Sequence, residues 1–198
     1  MIGSKTFTLF AAALAALSST ALAAPTRTEK VARDYGYSGV APAGATHSVV
    51  VGRGGLRFDP ENVVAEIGDI VEFHFTARNH SVAQSNFANP CNPIGPDAFF
   101  SGFDFVTQYG QNDNVFQITI QDKSPIWYYC AQTNMNHCQN GMAGVINQNF
   151  DSNEFTLAKY KENAWNLGRA GYVSTAPAYV GGSLNARVVP NPNPLSGF

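Results

Sequence analysis

The residues with chemistry to offer lie close together in the chain. The stretch Cys130-Ala131-Gln132-Thr133-Asn134-Met135-Asn136-His137-Cys138-Gln139-Asn140-Gly141-Met142 carries a thiol, an imidazole and a thioether. Upstream, Asn79-His80-Ser81 adds a second imidazole. Two His, one Cys and one Met are the donor set of a blue-copper centre, in which the thiolate and the nitrogens form a trigonal plane and the thioether is a weak axial ligand. Thiolate and thioether favour Cu(I), and imidazole suits both oxidation states. Zinc is a poorer match, because its sites use thiolate, imidazole and carboxylate rather than thioether.

The cysteine count points the same way without deciding it. There are three, Cys91, Cys130 and Cys138. Secreted proteins pair their cysteines, so an odd count leaves one thiol over. Ligation to a metal protects a thiolate that would otherwise oxidise or cross-link. A buried inert thiol or an intermolecular disulfide meets the count equally well. So does a Cys130–Cys138 bridge that leaves Cys91 free.

Such donors need rigid elements to hold them. Ile70 to Thr76 shows the clearest period of two. Val71, Phe73 and Phe75 point one way, and Glu72, His74 and Thr76 the other, which places His74 in solvent. Val115–Ile120 repeats the pattern, Ile126–Cys130 is an aromatic strand, and Ala143–Asn147 closes the series. Shorter runs at Val49–Val51 and Val63–Ile67 precede them. Short strands with frequent turns and no helix between them predict an antiparallel sandwich or barrel. Residues 85–113, with Pro90, Pro93 and Pro96, read as a long irregular connection, a kind of loop that is often functional. After Asn147 the spacing becomes helical. Asp151 and Glu154 resemble a capping box, and Phe155, Ala158, Lys159, Glu162 and Trp165 share a face, which predicts a helix over 149–167. Residues 168–198, rich in Gly, Pro and Asn, read as an extended tail.

The N-terminus has Lys5, an apolar Ala-rich run and then Ala21-Leu22-Ala23. That pattern predicts a signal peptide over 1–23, followed by a leader over 24–45 and the strand-rich domain over 46–148. No later run is long enough to span a bilayer, and the C-terminal Pro-Asn stretch lacks the apolar tail of a GPI signal. The expected product is secreted and extracellular, free or associated with the cell wall. Twelve Lys and Arg stand against 14 Asp and Glu, and cleavage removes Lys5 and no acid. This balance argues against nucleic acid as a partner, because phosphate binding needs clustered cations.

Asn79-His80-Ser81-Val82, Pro90-Cys91, Tyr129-Cys130 and His137-Cys138-Gln139-x-Gly141-Met142 together resemble the plant phytocyanins. The chain is more similar still to the secreted fungal cupredoxin-like proteins. That likeness adds Gly68-Asp69-x-Val71-x-Phe73, Gln84-Ser85-x-Phe87, Phe100-Ser101-Gly102-Phe103 and Pro125-Ile126-Trp127-Tyr128-Tyr129-Cys130, and covers residues 47–148. The resemblance implies an all-β, cupredoxin-like Greek-key β-sandwich, here with the C-terminal helix and extended tail. It implies one type-1 copper ion held by His80, Cys130, His137 and Met142, and a Cys91–Cys138 disulfide. One departure is the connection from Cys130 to His137, which is longer than in plastocyanin or the phytocyanins. It also contains Met135, read as an ordinary loop residue.

The expected function is one-electron transfer by a monomer to an unidentified extracellular redox partner, with the His137 edge as electron exit. The alternative is a module that sequesters copper or binds a cell-wall component on the same scaffold. An enzyme is not expected. A multicopper oxidase needs many more histidines than His47, His74, His80 and His137. Ser81 and Ser101 have no recognisable base beside them for hydrolysis.

Overall fold

Alternating apolar residues in the strands build two sheets that share one core. The computed structural model describes residues 44–192, 194 and 195. All of the described residues belong to one compact unit. The expected signal peptide and the leader up to residue 43 lie outside the described residues.

In chain order the elements are β1 Thr46–Val51, β2 Phe58–Asp59, β3 Asn62–Val63, β4 Ile70–Arg78, β5 Ala83–Ser85, β6 Thr107–Thr119, β7 Ile126–Tyr129, β8 Ala143–Ile146, α1 Leu157–Arg169 and β9 Arg187–Pro190. One sheet has the order β2-β1-β4-β6-β9, the other β3-β8-β7-β5. The sheets are mixed rather than antiparallel throughout, because β1 runs parallel to β4 and β3 parallel to β8.

Between the sheets lie Val71, Phe73 and Phe75 of β4, Phe116 and Ile118 of β6, and Ile126, Tyr128 and Cys130 along β7 and just beyond it. Phe58 and Phe73 meet the Tyr128 ring edge-on at 4.9 and 5.3 Å between centroids. That is a favoured aromatic geometry. Burying each such ring stabilises the fold by about 1.5–3 kcal/mol. The alternate residues of β7, Trp127 and Tyr129, face outward into a second cluster with Tyr160 and Ala164 of α1. The Trp127 and Tyr160 rings stack at 5.1 Å. The helix therefore covers the outer face of the sheet whose end carries Cys130.

Four local expectations meet a different outcome. The helix begins at Leu157, and its N-cap is Thr156, whose hydroxyl accepts from the Lys159 amide, rather than a box at Asp151 and Glu154. The connection after Ser85 gives way to strand at Thr107, so β6 is longer than the apolar run Val115–Ile120. Part of the extended tail joins the first sheet as β9, paired with β6 from Asn114 to Gln117. His74 is fully buried, not solvent-exposed. Its Nε2 lies 2.9 Å from Glu72 Oε1. Glu72 also accepts from Gln117, which in turn accepts from Arg187 of β9. A period of two assigns a side chain to a face but does not say whether that face meets water; here polar side chains line up beside one another along it, as far as Arg187 of β9.

Candidate metal centre

The donors gather at one end of the sandwich, where β4 and β7 release the chain. His80 follows β4, and Cys130 is the first residue after β7. His137 and Met142 lie on the connection from β7 to β8. That connection is long, yet it folds back tightly. His137 N–H donates to Gln132 O at 3.1 Å, Asn136 N–H to Thr133 O, and Asn140 N–H to Asn136 O. Met135 and Asn136 take φ of 63° and 46° to make the turn. Two backbone bonds then close the base of the loop: Met142 N–H to His137 O and Cys130 N–H to Met142 O, each 3.0 Å. The extra residues coil outward and return His137 to Cys130.

The side chains converge as well. One donor atom each from His80, Cys130 and His137 lie within 4.8 Å of one another. His137 Nδ1 is 3.3 Å from Cys130 Sγ. The two imidazole centroids are 4.9 Å apart. The Ser81 amide donates to Cys130 Sγ at 3.3 Å, and Ser81 Oγ accepts from the Ala131 amide at 2.9 Å. Met142 is fully buried in the same core cluster as Cys130. Met135 is exposed, as expected of a loop residue.

Electrostatics favour neutral imidazoles, the form that can hold a metal. Burial, then the charge of His137 and then that of Arg78 hold the His80 imidazole down to about 4. Burial also lowers His137. For Cys130, burial pushes the thiol up, against amide donors that favour the thiolate. His80 Nδ1 is buried and has no hydrogen-bond partner among the described residues. A buried nitrogen left unsatisfied costs about 1–3 kcal/mol, and a metal ion would satisfy it. The residues present thus fit copper: an unpartnered imidazole nitrogen, a second imidazole nitrogen and a sulfur meet in one buried place.

Cys91 and Cys138 form a disulfide, with S–S 2.08 Å and Cα atoms 5.7 Å apart. It ties the segment after β5 to the ligand loop beside His137. Cys130 is the free cysteine and is buried.

No protein-family model matches the chain. Two proteins of Arthroderma benhamiae are similar to it. One, named "Extracellular serine-rich protein", is 38% identical over 137 residues, covering 69% of this chain and 51% of the relative. The other, named "Probable GPI-anchored cupredoxin-1", is 33% identical over 131 residues, 66% of this chain and 64% of the relative. The chain is thus similar to two fungal proteins, one of which is named a cupredoxin. It spans about half to two thirds of the length of these curated relatives. Among solved structures, the chain is similar to pseudoazurin from Hyphomicrobium denitrificans (20% identity, 66% of this chain and 100% of that one, TM-score 0.39). It is also similar to plastocyanin from Dryopteris crassirhizoma (17% identity, 50% and 97%, TM-score 0.34).

Sequence reasoning does not single out three residues around this site. By sequence Ser81 is one member of a motif and a nucleophile without a base, whereas its amide and hydroxyl frame Cys130. Gly52 belongs to a turn by sequence, yet it abuts the His80 ring: a Cβ there would stand 2.3 Å from Nε2. Arg78 ends β4 beside the site. No local pattern marks these roles, because each depends on a neighbour distant in sequence.

Proposed function

We propose that the protein is an extracellular type-1 copper protein that carries one electron at a time and is not an enzyme. Its ligands are His80, Cys130, His137 and Met142. The observation that carries this reading is the meeting of Cys130 Sγ with two imidazoles, one of which has a buried Nδ1 without a partner. Copper bound there would cycle between Cu(I) and Cu(II).

The chain's own residues prepare the place. The backbone bonds at the loop base hold Cys130, His137 and Met142 in register. Ser81 N–H orients the sulfur, and the disulfide braces the loop. A framework that keeps its ligands fixed limits the rearrangement that accompanies a change of oxidation state. The relatives' names, extracellular protein and GPI-anchored cupredoxin, support a secreted or cell-surface location. Among the described residues no helix is long and apolar enough to cross a membrane. The redox partner is an extracellular one that meets the His137 end.

The test is a visible absorption and EPR spectrum of the Cu(II)-loaded protein beside a Cys130→Ser variant. An intense thiolate-to-copper band and a narrow copper hyperfine splitting, both absent from the variant, support the reading. A colourless protein, or one indifferent to Cys130→Ser, refutes it.

A further inference from the structure

A cavity of about 680 Å³ opens over the two imidazoles. It is lined by Gly52, Arg53, Gly54, Gly55 and Leu56 from the turn after β1, by Thr76, Ala77, Arg78 and His80 from the end of β4, and by Gly110, Met135 and His137. Its size falls within the range of small-molecule sites, roughly 300–1,000 Å³. Its walls are mainly apolar, from Leu56, Ala77, Met135 and the glycines. Its charge comes from two arginines, and no Asp or Glu appears among its described lining residues. That sign runs against the chain as a whole, whose formal net charge is −2.

We propose that this cavity binds a small organic anion with an apolar body, an aromatic carboxylate or phenolate, whose charge sits with Arg78 and Arg53 and whose body lies over the edges of His80 and His137. The guanidinium fork matches a carboxylate in two parallel hydrogen bonds, and its planar face tolerates an aromatic neighbour. The apolar walls supply the remaining contact area. The turn contributes little side-chain bulk, so the cavity stays open.

Two further observations single out Arg78. Its φ is +89°, a backbone region that non-glycine residues avoid. Such a conformation costs about 1–3 kcal/mol and persists where the surroundings hold it, typically at functional sites. Arg78 is also the last paired residue of β4, opposite Thr107, so the strain falls at the step where the chain leaves the sheet for His80. On the copper reading, an anion bound beside His80 would favour the more positive oxidation state. The coupling to the metal rests on that reading, whereas anion binding does not.

The experiment is titration calorimetry on the full metal-free chain with three probes of one shape: 2-naphthoate, 2-naphthamide and 2-naphthylmethylamine. The expected result is naphthoate binding about tenfold or more tighter than the neutral amide, with no heat from the cation. Arg78→Gln lowers naphthoate affinity about fivefold or more and leaves the amide unchanged, and Arg78→Lys restores part of the loss. If Arg78→Gln does not fold, Arg53→Gln, on the exposed turn, reads the same effect. Equal affinity for naphthoate and naphthamide, absence of naphthoate binding at millimolar concentration, or indifference to both arginine variants overturns the proposal. A Cu(II)-treated protein that stays colourless but binds naphthoate refutes the copper reading alone. A blue protein that ignores naphthoate refutes the anion site alone.

Discussion

The imidazole of His80 stands where a side chain on Gly52 would be. A Cβ at Gly52 would lie 2.3 Å from His80 Nε2 and 2.4 Å from Cδ2. Gly52 also has φ +86°, which an L side chain rarely adopts. The turn after β1 thus presses on one edge of the ring, while Nδ1 on the other side is left for the buried cluster. Two segments with no sequence connection between them set the orientation of one ligand candidate.

Gly52→Ala is expected to push the His80 ring aside and to cost about 2 kcal/mol of stability from backbone strain. Copper affinity should fall more than stability does, because ring displacement acts on the metal directly. Chemical denaturation and competitive copper titration measure the two losses separately. An unchanged copper affinity would show that the ring tolerates the shift.

The Cys91–Cys138 bridge closes a span of 47 residues. Chain-entropy reasoning assigns a loop of that length about 4 kcal/mol. The double variant Cys91→Ala/Cys138→Ala is expected to lose an amount of this order in denaturant unfolding, and to release copper faster as the ligand loop loosens. A variant as stable as the parent would mean that the loop holds itself through its backbone bonds.

Met142→Leu is close to volume-conserving and should cost less than about 1.5 kcal/mol. The blue band should survive, since the trigonal donors remain. The reduction potential should rise, because leucine leaves a lower-coordinate and more apolar site, which would suit Cu(I) better than Cu(II). Voltammetry on the parent and the variant decides it, and an unmoved potential would assign Met142 to the core alone.

Asp69 accepts from the Ala45 amide at 2.8 Å, the Glu66 amide at 2.8 Å and the His47 ring at 2.7 Å. The His47 contact and then the Glu66 amide hold its carboxyl below the ordinary value of 3.8. A folded value below the unfolded one means that the carboxylate stabilises the fold above about pH 3.8. The contribution drains away as pH falls through the lowered folded value. Asp69→Asn should therefore cost about 2 kcal/mol near neutral pH, and the gap to the parent should close under acid. Urea unfolding from pH 7 down to pH 2 measures it, and a constant gap would contradict the assignment.

The donor types, their order along the chain and the strands that carry them are legible in the residues alone. Cys130 and Met142 flank one connection between two strongly patterned strands, and that arrangement is local. The face of β4 is legible too, since Val71, Phe73 and Phe75 alternate strictly. The start of α1 is not, because Asp151 and Glu154 offer a capping pattern that Thr156 outcompetes once Tyr160 and Ala164 pack on the sheet. Nor is the strand in the tail, because Arg187–Pro190 has little pattern of its own and gains its hydrogen bonds only from the exposed edge of β6.

Donor chemistry belongs to the side chain, and strand period to the local order of residues. Which atoms could bind a metal, and on which strands they sit, is therefore written in the chain itself. Folding alone settles that His74 is buried in a polar ladder, that the long loop returns His137 to Cys130, and that Gly52 and Arg78 frame the His80 ring. Each of these depends on which distant segments share a sheet edge or a loop cluster. Burial, strain and distance are properties of such pairs of segments, and no single stretch of sequence contains them.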